Sequence, residues 1–394
     1  MLRRAVSALM GRRGAVAALL FCCAVVAVQG GCRVPSVHSS SLTPSARYTL
    51  GRGLTVGNTG LTIGGYANLQ YEDVRDKARR FSVDTLSTQL SWDFLSRAQF
   101  FAEIELEDIL IAQDERRLRS RTDPLEIERL YLDLFASDAL VGRVGKFLTP
   151  VGRWNEIHAA PLVWTTSRPS ITSQTFSENT TGGMLHGGVT PFGYDLEYAA
   201  YAAFPEDLDP DREEGALAFE ETVGFRLRSQ LGNFRFGMSY ANFLKEREFH
   251  HESGCEEGRG EDESCPEEIA FESRENLLGL HFFWSRNRYE LSSEFVYSFG
   301  SKGLDNKEWG LFIQGVLPLG ETRLAGGPLT RHVYGIGRYE YFDPSGTVPG
   351  AHLWTFGLAY RPLSALVLKA EYSAAHNNIA DVPEGFAASI AILF

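Results

Sequence analysis

The chain has little of what stabilises small secreted or metal-dependent folds. Five cysteines occur among 394 residues, and none falls at a zinc spacing. Cys22 and Cys23 lie in an apolar N-terminal stretch. Cys255 and Cys265 lie in a polar one and are expected to form one local disulfide in an oxidising compartment. An excess of basic charge is also absent. The formal net charge is −12, which argues against nucleic acid or an anionic membrane surface as the main partner. Beyond residue 28 no run of about 18 apolar residues occurs, so no transmembrane helix is expected in the mature chain. Such a chain spans a membrane only as a closed barrel, where every backbone group is paired. The glycine-rich "GGPLTRHVYGIG" lacks the helix that phosphate binding requires, and "GFRLRSQLG" and "GMSYANF" read as strands rather than nucleophile elbows.

What is present begins with a targeting pattern. "MLRRAVSALMGRRG" is basic, "AVAALLFCCAVVAV" is apolar, and small residues follow at Gly30 and Gly31. Residues 1–30 are read as a cleaved signal peptide, with cleavage after Ala27 or Gly30. Cys32 follows Gly30-Gly31, but Gln29 stands where a lipidation signal places an aliphatic residue. Residues 31–60 are rich in Ser, Pro, Thr and Gly and are read as a flexible extension. Residues 61–394 form the remaining domain.

From Leu61 onward the hydrophobic period is two. In "FFAEIELEDI" (100–109), Phe100, Ala102, Ile104 and Leu106 face one way and Phe101, Glu103, Glu105 and Glu107 the other. The alternation predicts about sixteen strands, near 61–71, 80–93, 96–111, 125–136, 139–148, 181–190, 193–204, 216–230, 233–246, 270–285, 287–299, 307–319, 331–343, 352–361, 364–374 and 386–394. It falters near Gly145 and around Thr85, where bulges are expected. Strands of this length cross a bilayer at a tilt, and short connections alternate with long polar ones. The expected fold is all-β: a transmembrane antiparallel barrel in the bacterial outer membrane. A secreted β-sandwich is the alternative, but its strands are usually shorter.

One long connection, "TPVGRWNEIHAAPLVWTTSRPSITSQTFSENT" (149–180), is too apolar for a surface loop in water. Folded into the lumen it would bury its apolar part and narrow the pore as a constriction loop. Arg153, Glu156, His158 and Arg168 are its candidate constriction residues. The Glu156–His158 spacing alone is weak as a metal pair, and no metal site is assigned. Trp154 and Trp164 are expected to anchor the loop to the wall. Strand parity directs Arg97, Arg129, Arg143, Arg226, Arg228, Arg235, Arg288, Arg338 and Lys369 to the lumen. It directs Glu103, Glu105, Glu107, Asp133, Asp195, Glu197, Glu290, Glu294, Glu340 and Glu371 there too. The two signs nearly balance, so a transverse field with weak selectivity is expected. The acidic stretch 251–268 is read as a solvated external loop stapled by its disulfide.

"LEIERLYLDL" (125–134) followed by "VGRVGKFLTPVGRWN" (141–155) resembles the phosphate-selective porin O and P family, in which a Gly-aromatic-Thr-Pro motif opens the constriction loop. The resemblance covers about 61–190. It implies a water-filled channel for small hydrophilic solutes and ions, anions such as phosphate among them, with no cofactor and no enzymatic activity. It also implies a homotrimer among outer-membrane lipid and lipopolysaccharide. The terminal Phe394 resembles the export signal read by the barrel insertion machinery. The competing readings are a barrel-type outer-membrane enzyme, for which His158, His186, His281 and His332 show no local nucleophile pattern, and a plugged adhesin or structural barrel.

Overall fold

The computed structural model describes residues 46–113, 119–120, 125–203, 217–247, 271–300, 307–321, 332–344, 350–377 and 384–394. The signal segment, Cys32 and the Cys255–Cys265 loop lie outside them. The described strands are β1 (Ala46–Thr49), β2 (Gly53–Val56), β3 (Leu61–Val74), β4 (Arg80–Leu95), β5 (Ala98–Gln113), β6 (Leu125–Ser137), β7 (Leu140–Leu148), β8 (Asn179–Val189), β9 (Asp195–Ala203), β10 (Leu217–Leu231), β11 (Phe234–Arg247), β12 (Phe271–Arg286), β13 (Tyr289–Gly300), β14 (Lys307–Pro318), β15 (Val333–Asp343), β16 (Ala351–Leu363), β17 (Leu366–His376) and β18 (Gly385–Leu393).

Strands β3 to β18 form a closed antiparallel barrel of sixteen strands, each beside its neighbours in sequence. Closure is made by β18 against β3, from Gly385↔Val74 to Leu393↔Tyr66. Phe394 carries the ladder one pair further. Its N–H donates to the Gly65 carbonyl at 2.9 Å, and its own carbonyl accepts the Gly65 N–H at 3.1 Å. All sixteen expected strands are found, with ends shifted by at most three residues. The expectation of a loose segment up to residue 60 fails for 46–56. There β1 and β2 pair as a hairpin, and β2 pairs with the start of β3. Gly51 and Gly53, at φ +77° and +85°, supply the left-handed backbone that this turn needs.

Burial is inverted relative to a soluble protein. Along β17, Val367, Lys369, Glu371 and Ser373 are buried, while Leu368 and Tyr372 between them are exposed. Along β5, Glu103 is 1% exposed and Ile104 is 43% exposed. Charged residues of these strands face inward and the positions facing outward are apolar, as hydrocarbon outside and water inside require.

Three extra residues interrupt the alternation in neighbouring strands. The β3–β4 register shifts between Asn68 and Leu69, leaving Asp84 as the extra residue of β4, and the β4–β5 register shifts between Val83 and Thr85 at a β5 bulge that holds Asp108 at φ +48°. The β5–β6 register shifts between Glu103 and Ile104, leaving Glu128 as the extra residue of β6. The bulge expected near Gly145 is absent, because Tyr131↔Gly145 and its neighbours pair without a shift. The sequence breaks there for a different reason. Gly145 takes φ +130°, and a Cβ would lie 2.1 Å from the Leu130 carbonyl oxygen.

Candidate pore constriction

The connection from β7 to β8 turns inward. Its neck is closed by Thr149 N–H donating to the Glu178 carbonyl at 2.9 Å. The Asn155 side chain also donates to the Thr149 and Glu178 carbonyls, both at 2.9 Å. From this neck the loop crosses the lumen to the far wall. Val151, Trp154, Val163, Ile171 and Phe176 pack with Ala241, Phe243, Leu277, Val296, Phe312 and Phe342 of β11 to β15. Ala160 and Trp164 pack against Val316, Ile336, Val367 and Ala391. The apolar composition of the loop is thus explained by an apolar patch on the inner wall.

An irregular loop inside a barrel leaves backbone groups that no ladder satisfies. Wall carboxylates take the loop's N–H groups. Glu294 accepts from Arg153 at 2.9 Å and Trp154 at 2.6 Å, Glu371 from Thr166 at 2.8 Å and Ser167 at 2.7 Å, and Glu340 from Ser170 at 2.7 Å. Wall cations take its carbonyls. Lys369 donates to Ala160 at 3.0 Å and Thr165 at 2.9 Å, Arg361 to Pro161 at 2.8 Å and Val163 at 3.0 Å, and Arg338 to Ser167 at 2.9 Å. Both tryptophans anchor, as expected. Trp154 meets Phe312 edge-on, and Trp164 donates to Glu290 at 2.7 Å and lies tilted against Tyr334, ring centroids 4.7 Å apart.

Of the four loop residues singled out from sequence, His158 and Arg168 come together beside Glu128 and Glu178, whereas Arg153 and Glu156 each meet another part of the wall. Arg153 lies over the Phe283 ring at 3.9 Å, and burial lowers its pKa. Glu156 reaches Arg226 and Arg228 of β10; burial works against its charge, but the two guanidiniums outweigh it and hold its pKa below the usual carboxylate range. His158 is separated from Glu156 and lies 3.3 Å from Glu128. Burial disfavours its charged form, yet Glu128 raises its pKa overall. Arg168 pairs with Glu178 of the loop itself rather than with a wall carboxylate, and burial lowers its pKa to about 10.

The wall arginines are largely neutralised in place. Arg129 pairs with Glu103, Arg143 with Asp133, Arg228 with Glu197 as well as Glu156, and Arg338 with Glu340. Glu105 accepts from Tyr66 at 2.7 Å. Arg97, expected in the lumen, is instead exposed in the turn between β4 and β5, because β5 begins at Ala98 rather than at 96.

With the loop fixed to β11–β18, a cavity of about 400 Å³ remains between it and β3–β6. Asp84, Glu105, Glu107, Glu126, Glu128 and Glu178 line it, against Arg168 and His158. Sequence parity missed Asp84, Glu126 and Glu128. The bulges turn extra residues inward, and a period of two cannot register them.

No family model matches the chain. An uncharacterized protein of Aquifex aeolicus (strain VF5) is 24% identical over 356 residues, spanning 79% of this chain and 75% of the relative. Among solved structures, the trimer form of in-vitro folded OmpT, an outer membrane protein of Vibrio cholerae, is similar with TM-score 0.52 and 8% identity, over 85% of this chain and 99% of that one. The Salmonella typhi OmpF complex with daunomycin gives TM-score 0.53 and 11% identity, over 86% and 99%. The anion-selective porin from Comamonas acidovorans gives 0.51 and 12%, over 84% and 98%. The likeness defines the class of the fold, the closed sixteen-stranded barrel of outer-membrane porins.

Proposed function

We propose that this chain is an outer-membrane porin that passes small hydrophilic solutes by diffusion and favours cations. The observation that carries the reading is the cavity beside the loop, where six carboxylates face one arginine and one histidine. Rings of charged side chains set ion preference in a pore, and carboxylates lower the barrier for cations. The resemblance to phosphate-selective porins favours anions, but the arginines that would serve them are held by Glu103, Asp133, Glu156 and Glu340. Diffusion is favoured over enzymatic chemistry by the partners of the inner histidines. His158 meets Glu128 and Asn155, and His186 lies 4.0 Å from Asp133; no nucleophile is among these partners. Homotrimeric assembly is part of the same proposal and is supported by the trimer form of the Vibrio protein.

The test is the reversal potential of the purified protein in a planar bilayer under a salt gradient. A cation-selective potential with open conductance is expected. An anion-selective potential blocked by phosphate would overturn the charge reading and restore the phosphate one. Absence of conductance in folded protein would overturn the channel reading.

A further inference from the structure

Glu128, His158 and Glu178 converge at the seam between the loop and β6. One ligand atom from each lies within 4.8 Å of the other two. Two features separate this group from an ordinary acidic cluster. The first is an orphaned acceptor. Glu128 is 6% exposed and its Oε2 accepts from Asn179 at 3.0 Å, but its Oε1 makes no hydrogen bond among the described residues. His158 Nε2 lies 3.3 Å from that oxygen, outside hydrogen-bond geometry. The second is the orientation of the imidazole. His158 Nδ1 lies 2.8 Å from the Asn155 carbonyl oxygen, which accepts only if Nδ1 carries hydrogen. That leaves Nε2 directed at the carboxylates. A ring N–H given to a backbone carbonyl, with the ligating carboxylates themselves hydrogen-bonded, is how metal-binding histidine sites are held. Arg168 pairs with Glu178, and the Asn179 amide donates to Glu128. All three side chains face the 400 Å³ cavity, which has room for water at the open positions.

We propose that Glu128, His158 and Glu178 bind a divalent transition-metal ion at the constriction. One imidazole nitrogen with two carboxylates suits Zn²⁺, Co²⁺ or Mn²⁺ rather than Ca²⁺ or Mg²⁺, which prefer oxygen ligands only. The ion takes the place of the imidazolium proton. Donor atoms on one such ion stand about 3–4 Å apart, so modest side-chain rotation closes the set. Because the ligands come from both the wall and the loop, bound metal ties the loop to β6.

The probe is Co²⁺, titrated into the full refolded barrel in detergent and followed by its visible d–d absorption, with Zn²⁺ as competitor. One saturable ion per chain is expected, displaced by Zn²⁺. His158→Gln, Glu128→Gln and Glu178→Gln should each weaken Zn²⁺ by at least about tenfold, the loss that removing even an outer-shell partner causes. Glu178 is the most exposed of the three and the least able to disturb folding. The heat-dependent gel mobility of each variant checks that the barrel has formed. A folded wild type without saturable Co²⁺ absorption would overturn the proposal. So would equal affinity in wild type and all three variants, which would place the ion elsewhere, as in the acidic stretch 251–268. The readout is binding, so it is independent of whether the barrel conducts.

Discussion

Replacing Glu371 by alanine removes two of the loop's anchors and leaves the barrel ladder intact. Its carboxylate accepts the Thr166 N–H at 2.8 Å and the Ser167 N–H at 2.7 Å. Strand β17 remains paired to β16 and β18 through its backbone. A hydrogen bond to a charged group contributes about 1.5–3 kcal/mol. Loss of both therefore costs docking at residues 166–167 about 3–6 kcal/mol, before water reaches the freed amides. At about 1.4 kcal/mol per tenfold, the ratio of lifted to docked loop rises by about 10²–10⁴ at this point. Lys369 and Arg338 still hold the Thr165 and Ser167 carbonyls, so complete release is not expected. In single-channel recordings the variant should show a larger mean conductance with excess open-channel noise. Glu371→Gln should fall between it and wild type, because the amide oxygen still accepts one bond. A steady, wild-type conductance in a folded Glu371→Ala barrel would refute the claim that wall carboxylates fix this loop.

Two further outcomes follow from the same geometry. A cysteine at Glu107, which faces the acidic cavity, should react with a membrane-impermeant thiol reagent and reduce conductance, whereas one at the outward Ile104 should react only with a lipid-soluble reagent. The reverse pattern would invert the assigned faces of β5. Glu156 has a lowered folded-state pKa, so its contribution to stability is complete above the ordinary carboxylate value of about 4.3 and is lost only as pH falls through the lower one. The difference in urea midpoint between wild type and Glu156→Gln should therefore stay constant from pH 7 to about pH 5 and shrink in stronger acid; loss of the difference between those two values would show that Arg226 and Arg228 do not hold the carboxylate.

The barrel was legible because inside and outside differ in solvent. Each strand must alternate, as Glu103 and Ile104 do, and sixteen such segments can be counted without any contact being known. The inward path of the loop was legible from its apolar composition, and its tryptophan anchors from residue type. Individual pairings were not. Arg168 binds Glu178 of its own loop, and Glu156 and His158 part although they are two residues apart. Such choices depend on which wall residue stands opposite at one height, and local sequence carries no record of that. Glu128 was hidden for a different reason. It is the residue inserted out of phase, and parity counted from Arg129 points it toward lipid.

That inserted residue has a consequence for how such a wall can change over time. A strict two-residue repeat presents only every second position to the passage, so point substitution alone swaps one inward charge for another at fixed spacing. A bulge adds an inward position between two existing ones. Asp84 and Glu128 thus reach the cavity as extra residues of β4 and β6, in strands whose flanking pairings remain in register. A single-residue insertion or deletion at such a place would accordingly make the acidic wall denser or sparser. Homologues that differ in ion preference should differ in strand length at these two places before they differ in the identity of the residues around them.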